Sequence, residues 1–345
     1  MAAWMACALV GAAGFASPAF AGFATIVVDA QSGKVLEQVN ADQENIPASL
    51  TKMMTLYLTF QALQRGTLKL DQALPVSAQA AREAPTKLDL RAGQSVRVRD
   101  CILGMIVKSA NDAATVVAER LGGSTAGFAK QMNAQAAKLG MTGTRFGNAN
   151  GLPNSENRTT ARDMARLAQA LYRDYPQYAS MFATRQFLFR GRLVRGHNRL
   201  MARYSGMDGL KTGYTEASGF NLASTAVRGG RRLFAVVLGG RTAQARDEAM
   251  AGLLDEAFTR MPAVEAKTSG THKLLAALSP VSSAAAAEPV PVIAKIPASH
   301  AGKTGRIALS KARKQGVVCA PAVKHPVLAQ KKHVKGRKAP LLAKR

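Results

Sequence analysis

Apolar residues recur every three to four positions behind Pro47-Ala48-Ser49, at Leu50, Met53, Met54, Leu56, Tyr57, Phe60 and Leu63. That period predicts a buried helix that starts near Ser49. A second apolar stretch, residues 101–107, is nearly unbroken, and Ala113, Ala114, Val116, Val117 and Ala118 form another just after it. Between the two stands the polar string Ser109-Ala110-Asn111, which interrupts buried structure where each hydroxyl and amide must find a partner. Farther on, residues 220–227 read as a strand. Helical and strand-like stretches alternate, so the pattern predicts an α/β (α+β) architecture. In it helices pack on an antiparallel sheet, with a mostly helical insert between residue 56 and about residue 173. With 47% hydrophobic residues over 345 positions, the chain can bury one large core of about 240 residues.

Three short strings follow one another in the order Ser49-Leu50-Thr51-Lys52, Ser109-Ala110-Asn111 and Lys211-Thr212-Gly213, their first members 60 and 102 residues apart. At average composition a Ser-x-x-Lys or a Ser-x-Asn arises by accident about once in such a chain, and Lys-Thr-Gly in about one chain in ten. The weight lies in their ordered co-occurrence within one domain. At a helix N-terminus, unpaired N–H groups and the positive end of the dipole would stabilise an oxyanion formed by attack of the Ser49 hydroxyl. Lys52, three residues on, shares the same face of the first turn. A free lysine, with a pKa of about 10.4, cannot accept the serine proton at neutral pH, so its pKa must fall by roughly three units, about 4 kcal/mol. Burial against the Met-rich helix supplies part of that fall, and a second lysine supplies more, with Lys211 the candidate. The plain structural alternative is a helix cap at Ser49 beside a solvated Lys52, and it leaves the other two strings unexplained. Ser109 is suited to pass a proton to a leaving group, and Asn111 to hold either the substrate backbone or Lys52. Lys211 and Thr212 offer a cation and a hydroxyl to a substrate carboxylate. Gly213 removes a side chain so that a peptide can lie along the strand edge, and the N–H of Tyr214 would complete an oxyanion hole with that of Ser49.

With their surroundings, these strings resemble the serine D-alanyl-D-alanine carboxypeptidases (peptidase S11) among the low-molecular-mass penicillin-binding proteins. The likeness takes in residues 25–33, 48–55, 108–114, 146–152, 159–165 and 208–215, and so covers roughly residues 23–262. It implies a β-lactamase/transpeptidase-like fold and acyl transfer on D-Ala-D-Ala, without metal or cofactor. Ser49 would attack the carbonyl of the penultimate D-alanine of a peptidoglycan stem peptide and give its proton to Lys52. An acyl-enzyme would form as the terminal D-alanine departs, and water would then release the trimmed peptide. An arginine beyond the Lys-Thr-Gly strand helps bind the terminal carboxylate in the family; Arg246 matches that place, with Arg241 close by as the competitor. The same residues would make β-lactams covalent inhibitors. Class A β-lactamases share the arrangement but place a Glu-x-x-x-Asn string between the second and third motifs. Here the glutamates in that region are Glu119 and Glu156, and neither is followed four residues later by Asn. Two alternatives stay open: a D,D-endopeptidase that cuts peptidoglycan cross-links, and a wall-peptide binding protein that has lost turnover.

The ends of the chain add context. Residues 1–16 are apolar or small, and Ala19-Phe20-Ala21 fits the small-x-small cleavage rule, leaving Gly22 first. Since no Lys or Arg precedes Lys34, the sequence is expected to begin inside a longer secretory signal. Export to the periplasm or cell envelope follows. Nothing reaches the 18 or so consecutive apolar residues of a retained span. Residues 265–345 hold 16 Lys+Arg against 2 Asp+Glu, net +14 of the chain's +26, and are rich in Ala and Pro without apolar periodicity. The expected organisation is a signal over 1–21, a catalytic domain over 22–262 and a basic, disordered tail over 263–345. Family members often carry a β-rich domain and a membrane-binding helix there, and this tail departs from that pattern. It reads either as an inert extension or as an attachment to anionic envelope surfaces; export argues against a specific nucleic-acid partner despite a pI near 10.6. Cys101 is expected to be an inert core residue with no disulfide to Cys319, and His197 a loop or surface residue.

Overall fold

The structure is a computed structural model that describes residues 22–260. The expected signal and the basic tail with Cys319 lie outside the described residues. In chain order the elements are β1 (Ala24–Asp29), β2 (Val35–Val39), a 3-10 turn (Ala48–Thr51), α1 (Lys52–Gln64), β3 (Ala73–Pro75), α2 (Ala78–Arg82), β4 (Ser95–Arg97) and α3 (Val98–Leu103). A π-helical turn (Gly104–Lys108) then leads into α4 (Asn111–Gly122), α5 (Thr125–Lys138), α6 (Ala161–Asp174), α7 (Pro176–Ala179) and a second 3-10 turn (Ser180–Ala183). The hairpin β5 (Gln186–Phe189) and β6 (Arg192–Arg195), α8 (Leu200–Arg203), β7 (Met207–Thr215), β8 (Gly219–Arg228), β9 (Arg231–Gly240) and α9 (Ala243–Arg260) complete the chain.

Five strands form the main sheet in the order β2-β1-β9-β8-β7, every pair antiparallel. Both faces of its central strands are covered, so β1 and β9 read as continuous apolar runs whose alternate residues enter different cores. Ile26, Val28, Phe234, Val236 and Leu238 face the larger core, shared with α1, α4 and α6. Val27, Leu233, Ala235 and Val237 face a smaller one closed by Met250, Leu254 and Ala257 of α9. The insert is helical as the pattern predicted, with only the short β3–β4 pair as strand between residues 56 and 173. Caps set its boundaries: Ser124 accepts from the Gly127 N–H at the start of α5, and Thr160 accepts from the Asp163 N–H at the start of α6. Cys101 is fully buried in the larger core, where burial pushes its thiol pKa up and leaves it unreactive. Among the described residues no helix is long and apolar enough to cross a membrane.

Two consequences of this layout build the site. The edge strand β7 leaves one side free of sheet pairing, and the 3-10 turn at the head of α1 packs against that same strand.

Candidate active site

The predicted helix start is a 3-10 turn over Ala48–Thr51 that runs into α1, and the Ser49 hydroxyl caps nothing. Ala48, just before it, has φ +47°, a left-handed conformation that costs a non-glycine residue on the order of 1 kcal/mol. Two glycines hold the turn in place. Gly151, at φ +79°, lies so close that a β-carbon there would overlap the Ala48 carbonyl oxygen. Gly213 of β7 faces the turn as well: a β-carbon would stand 3.1 Å from the Ser49 nitrogen and 3.0 Å from Leu50 Cδ1. The glycine of Lys-Thr-Gly therefore lets the strand close on the backbone of Ser49, a reason distinct from the substrate clearance expected from sequence.

Below Ser49 lies Lys52, wholly buried. Its Nζ stands 3.1 Å from Ser49 Oγ, and donates to Asn111 Oδ1 at 2.7 Å and to the Asn150 carbonyl at 2.6 Å. Burial, and then the charge of Lys211, hold Lys52 well below the ordinary lysine pKa, opposed more weakly by Glu83 and Asp112. Of the two roles open to Asn111, its oxygen takes the one toward Lys52, while its amide nitrogen donates to the Ala84 carbonyl.

Ser109 ends the π-helical turn in a left-handed conformation, φ +59° and ψ +35°. Its buried hydroxyl has no protein partner. The segment around it is tied down by its neighbours: the Asn111 N–H donates to the Thr86 carbonyl, and the Thr86 hydroxyl to the Ser109 carbonyl. Asp112 accepts from the backbone N–H groups of Leu88 and Leu90, pinning the same loop from below.

A cavity of about 530 Å³ opens above these groups, lined by Ser49, Ser109, Asn111, Thr212, Gly213, Tyr214 and Arg246. The two lysines do not line it. Lys211, 2% exposed, sits behind the wall and donates to the Thr212 carbonyl at 2.7 Å. Its charge acts on the site through the field rather than by contact. Burial and the nearby Arg246 bring its pKa down to about 7. Arg246 itself is buried, with Nε donating to Asp247 and Nη1 to the Asn221 carbonyl, whereas Arg241 is exposed. Tyr214 is 55% exposed, its ring packed on Phe220 with centroids 4.3 Å apart.

A sequence profile of the peptidase S11 family, described as D-alanyl-D-alanine carboxypeptidase, matches residues 13–242. The chain belongs to this family. It is 39% identical over 230 residues to the D-alanyl-D-alanine carboxypeptidase DacC of Escherichia coli K12, a match covering 65% of this chain and 58% of that one. The solved structure of D-alanyl-D-alanine carboxypeptidase DacD from Francisella tularensis superposes with a TM-score of 0.66 at 31% identity, over 68% of this chain and 70% of that one. Penicillin-binding protein D2 of Listeria monocytogenes, solved in its ampicillin-bound form, gives a TM-score of 0.60 at 33% identity, over 68% of this chain and 96% of that one. The chain spans about 60% of the length of the curated relatives it matches.

Sequence reasoning gave no part to three contributors. Asn150 serves through its carbonyl, and any residue type would present that group; the turn string Asn148-Ala149-Asn150-Gly151 was the available signal. The 84–86 loop is brought in by backbone contacts alone. His197 is an exposed loop residue, as its lack of a partner acid implied, yet it borders the cavity together with Arg199. Among the described residues no group of His, Cys, Asp and Glu is arranged to hold a metal ion.

Proposed function

We propose that this protein is a serine D,D-carboxypeptidase that removes the terminal D-alanine from peptidoglycan stem pentapeptides through an acyl-enzyme. One observation carries the reading: a lysine with no solvent exposure, its nitrogen surrounded by two carbonyl oxygens and the hydroxyl of Ser49. A neutral amine donates its two hydrogens to Asn111 Oδ1 and the Asn150 carbonyl, and its lone pair is then left for the Ser49 proton. The stem peptide lies along the free edge of β7, with its terminal carboxylate toward Thr212 and Arg246 and within the field of Lys211. The carbonyl oxygen of the penultimate D-alanine takes up charge at the N–H groups of Ser49 and Tyr214. Ser109, whose hydroxyl is uncommitted, relays a proton to the departing amine.

β-Lactams would acylate the same serine. Among the described residues lining the cavity the sole carboxylate is Asp247, already engaged by Arg246 and Arg203, so no free carboxylate stands ready to activate water for rapid release of the drug. We place the protein in the periplasm or cell envelope, on the strength of the leader-like start and the chemistry of its substrate, with the basic tail as a contact to anionic envelope surfaces. The test is D-alanine release from an acylated pentapeptide ending in D-Ala-D-Ala. Ser49→Ala is expected to lower release by at least about a thousandfold, the scale of losing a catalytic nucleophile; release by Ser49→Ala at the rate of the unaltered protein would refute the assignment.

A further inference from the structure

No Asp or Glu stands between Asp174 and Asp208, a stretch that holds six arginines. Five of them, Arg185, Arg190, Arg192, Arg195 and Arg199, are exposed and form no ion pair among the described residues. The β5–β6 hairpin carries the middle three. Its turn, Arg190-Gly191, has φ +48° and +76°, the left-handed pair that closes tight two-residue hairpins. Arg190 fastens that turn to the body of the domain, donating to Gln94 Oε1 at 2.6 Å and to the Ser95 carbonyl at 3.0 Å. One face of the hairpin packs inward, with Phe187 and Phe189 in the larger core and Val194 against it. On the opposite face the two-residue alternation of a half-buried strand calls for polar side chains. That face instead carries Leu188 and Leu193, paired directly across the strands and 68% and 50% exposed. Arg195, opposite Gln186, extends the same face.

Two leucines bared to solvent and bordered by guanidinium groups without acidic partners complement a surface that is anionic outside and apolar beneath. Asp100, which shares a shallow cavity with Leu188, is already paired with Arg97. A second copy of the chain, meeting this face with its own, would set like charges against each other. We propose that the β5–β6 hairpin anchors the folded domain to an anionic lipid bilayer, with Leu188 and Leu193 seated at the headgroup–acyl boundary and Arg192 and Arg195 among the headgroups. This contact differs in kind from one made by the basic tail. A run of charge alone is screened by salt, whereas the hairpin adds apolar area that salt does not weaken. Gly196 alone separates β6 from His197, which lines the catalytic cavity. A seated hairpin therefore holds that cavity close to the lipid surface.

The full chain tests this in a Trp4→Phe background, which removes its one tryptophan. Leu193→Trp and, separately, Leu188→Trp then place a fluorescent reporter on the exposed face, where neither disturbs the core. Each is mixed with phosphatidylglycerol–phosphatidylcholine vesicles, with and without bromine on the acyl chains. The expected result is a blue shift of the indole emission and its quenching by the brominated chains, at low and at high salt. With the tail intact, Leu188→Ser should lower the vesicle partition coefficient about tenfold, the scale of withdrawing one leucine from an apolar setting. Arg192→Gln and Arg195→Gln should each lower it about fivefold, the scale of one basic residue at an anionic surface. An indole that stays unquenched, whether or not the protein sediments with the vesicles, would overturn the anchor, as would equal quenching by phosphatidylcholine alone. So would sedimentation with insoluble peptidoglycan, in place of vesicles, that depends on the two leucines; it would give this face to the wall polymer.

Discussion

An ammonium group with three hydrogens and an amine with two hydrogens and a lone pair both fit the surroundings of Lys52, and the environment decides between them. Two acceptors are fixed, the Asn111 and Asn150 oxygens, while the Ser49 hydroxyl can either give or take a hydrogen. Burial and Lys211 tip the balance toward the amine. Lys211→Met removes the second positive charge, so the pKa seen in the rising limb of the acylation rate against pH should move up, toward that of an ordinary lysine. A limb that stays in place would remove Lys211 from the tuning of Lys52. The same residue should cost stability. Its pKa is about 7 in the folded chain against 10.5 for an ordinary lysine, a difference worth roughly 5 kcal/mol between protonation states. The sign follows from linkage: the penalty is complete below pH 7, where both states are protonated, and fades as pH rises toward 10.5, where the unfolded chain loses its proton too. Lys211→Met is therefore expected to raise Tm by several degrees at pH 6 and by progressively less at pH 8 and 9, measured by calorimetry. A Tm gain that grows with pH would contradict this. The pairing of Ser49 with Lys52 was legible in the sequence because helical spacing fixes which side chains meet. The Asn150 carbonyl was not, since a backbone group leaves no mark on residue identity.

The elements that carry the site are held by close approaches as well as by hydrogen bonds. β7 and the 3-10 turn come together because Gly213 has no side chain, and the 151 turn meets Ala48 for the same reason. Gly213→Ala should push the strand off the nucleophile by a few tenths of an ångström. We expect acylation to fall at least about tenfold with only a few degrees lost in Tm, because a small misplacement of reacting groups costs rate steeply. Gly151→Ala meets a backbone oxygen and an unfavourable φ together, and is expected to lose most of its soluble folded protein. Normal folding and acylation by both variants would show that the contacts yield freely. At this scale the periodic elements were readable: the Ser49 helix, the 220–227 strand and the helical insert appear where the pattern put them. The left-handed Ser109 and the 84–91 loop that holds it were not, because no periodicity reports a backbone tied down by Asp112 and Thr86 from distant positions.

For the molecule as a whole, Ser49, Lys52, Ser109, Asn111, the Asn150 carbonyl, Thr212, Gly213 and Arg246 all fall within residues 22–260. Protein spanning 22–262 should therefore hydrolyse a soluble pentapeptide with kcat/KM within about twofold of the full chain. A tenfold loss would give the basic tail a part in catalysis. Its charge, +14 of the total +26, should act instead on where the protein sits, since phosphate-rich surfaces attract such a tail in a salt-dependent way. An antiparallel sheet with helices packed on it was anticipated in kind, while the strand order, with β1 paired to β9 more than 200 residues away in sequence, became visible only in the fold. One trapped species decides the role of Ser49 and Lys52. The full chain is incubated with a β-lactam, weighed intact and mapped by peptide mass, beside Lys52→Met. One adduct of the drug's mass is expected, located at Ser49, with at least about a thousandfold slower labelling of Lys52→Met, as for loss of a general base acting on a serine. An adduct at any other residue, or labelling of Lys52→Met at the unaltered rate, would contradict it.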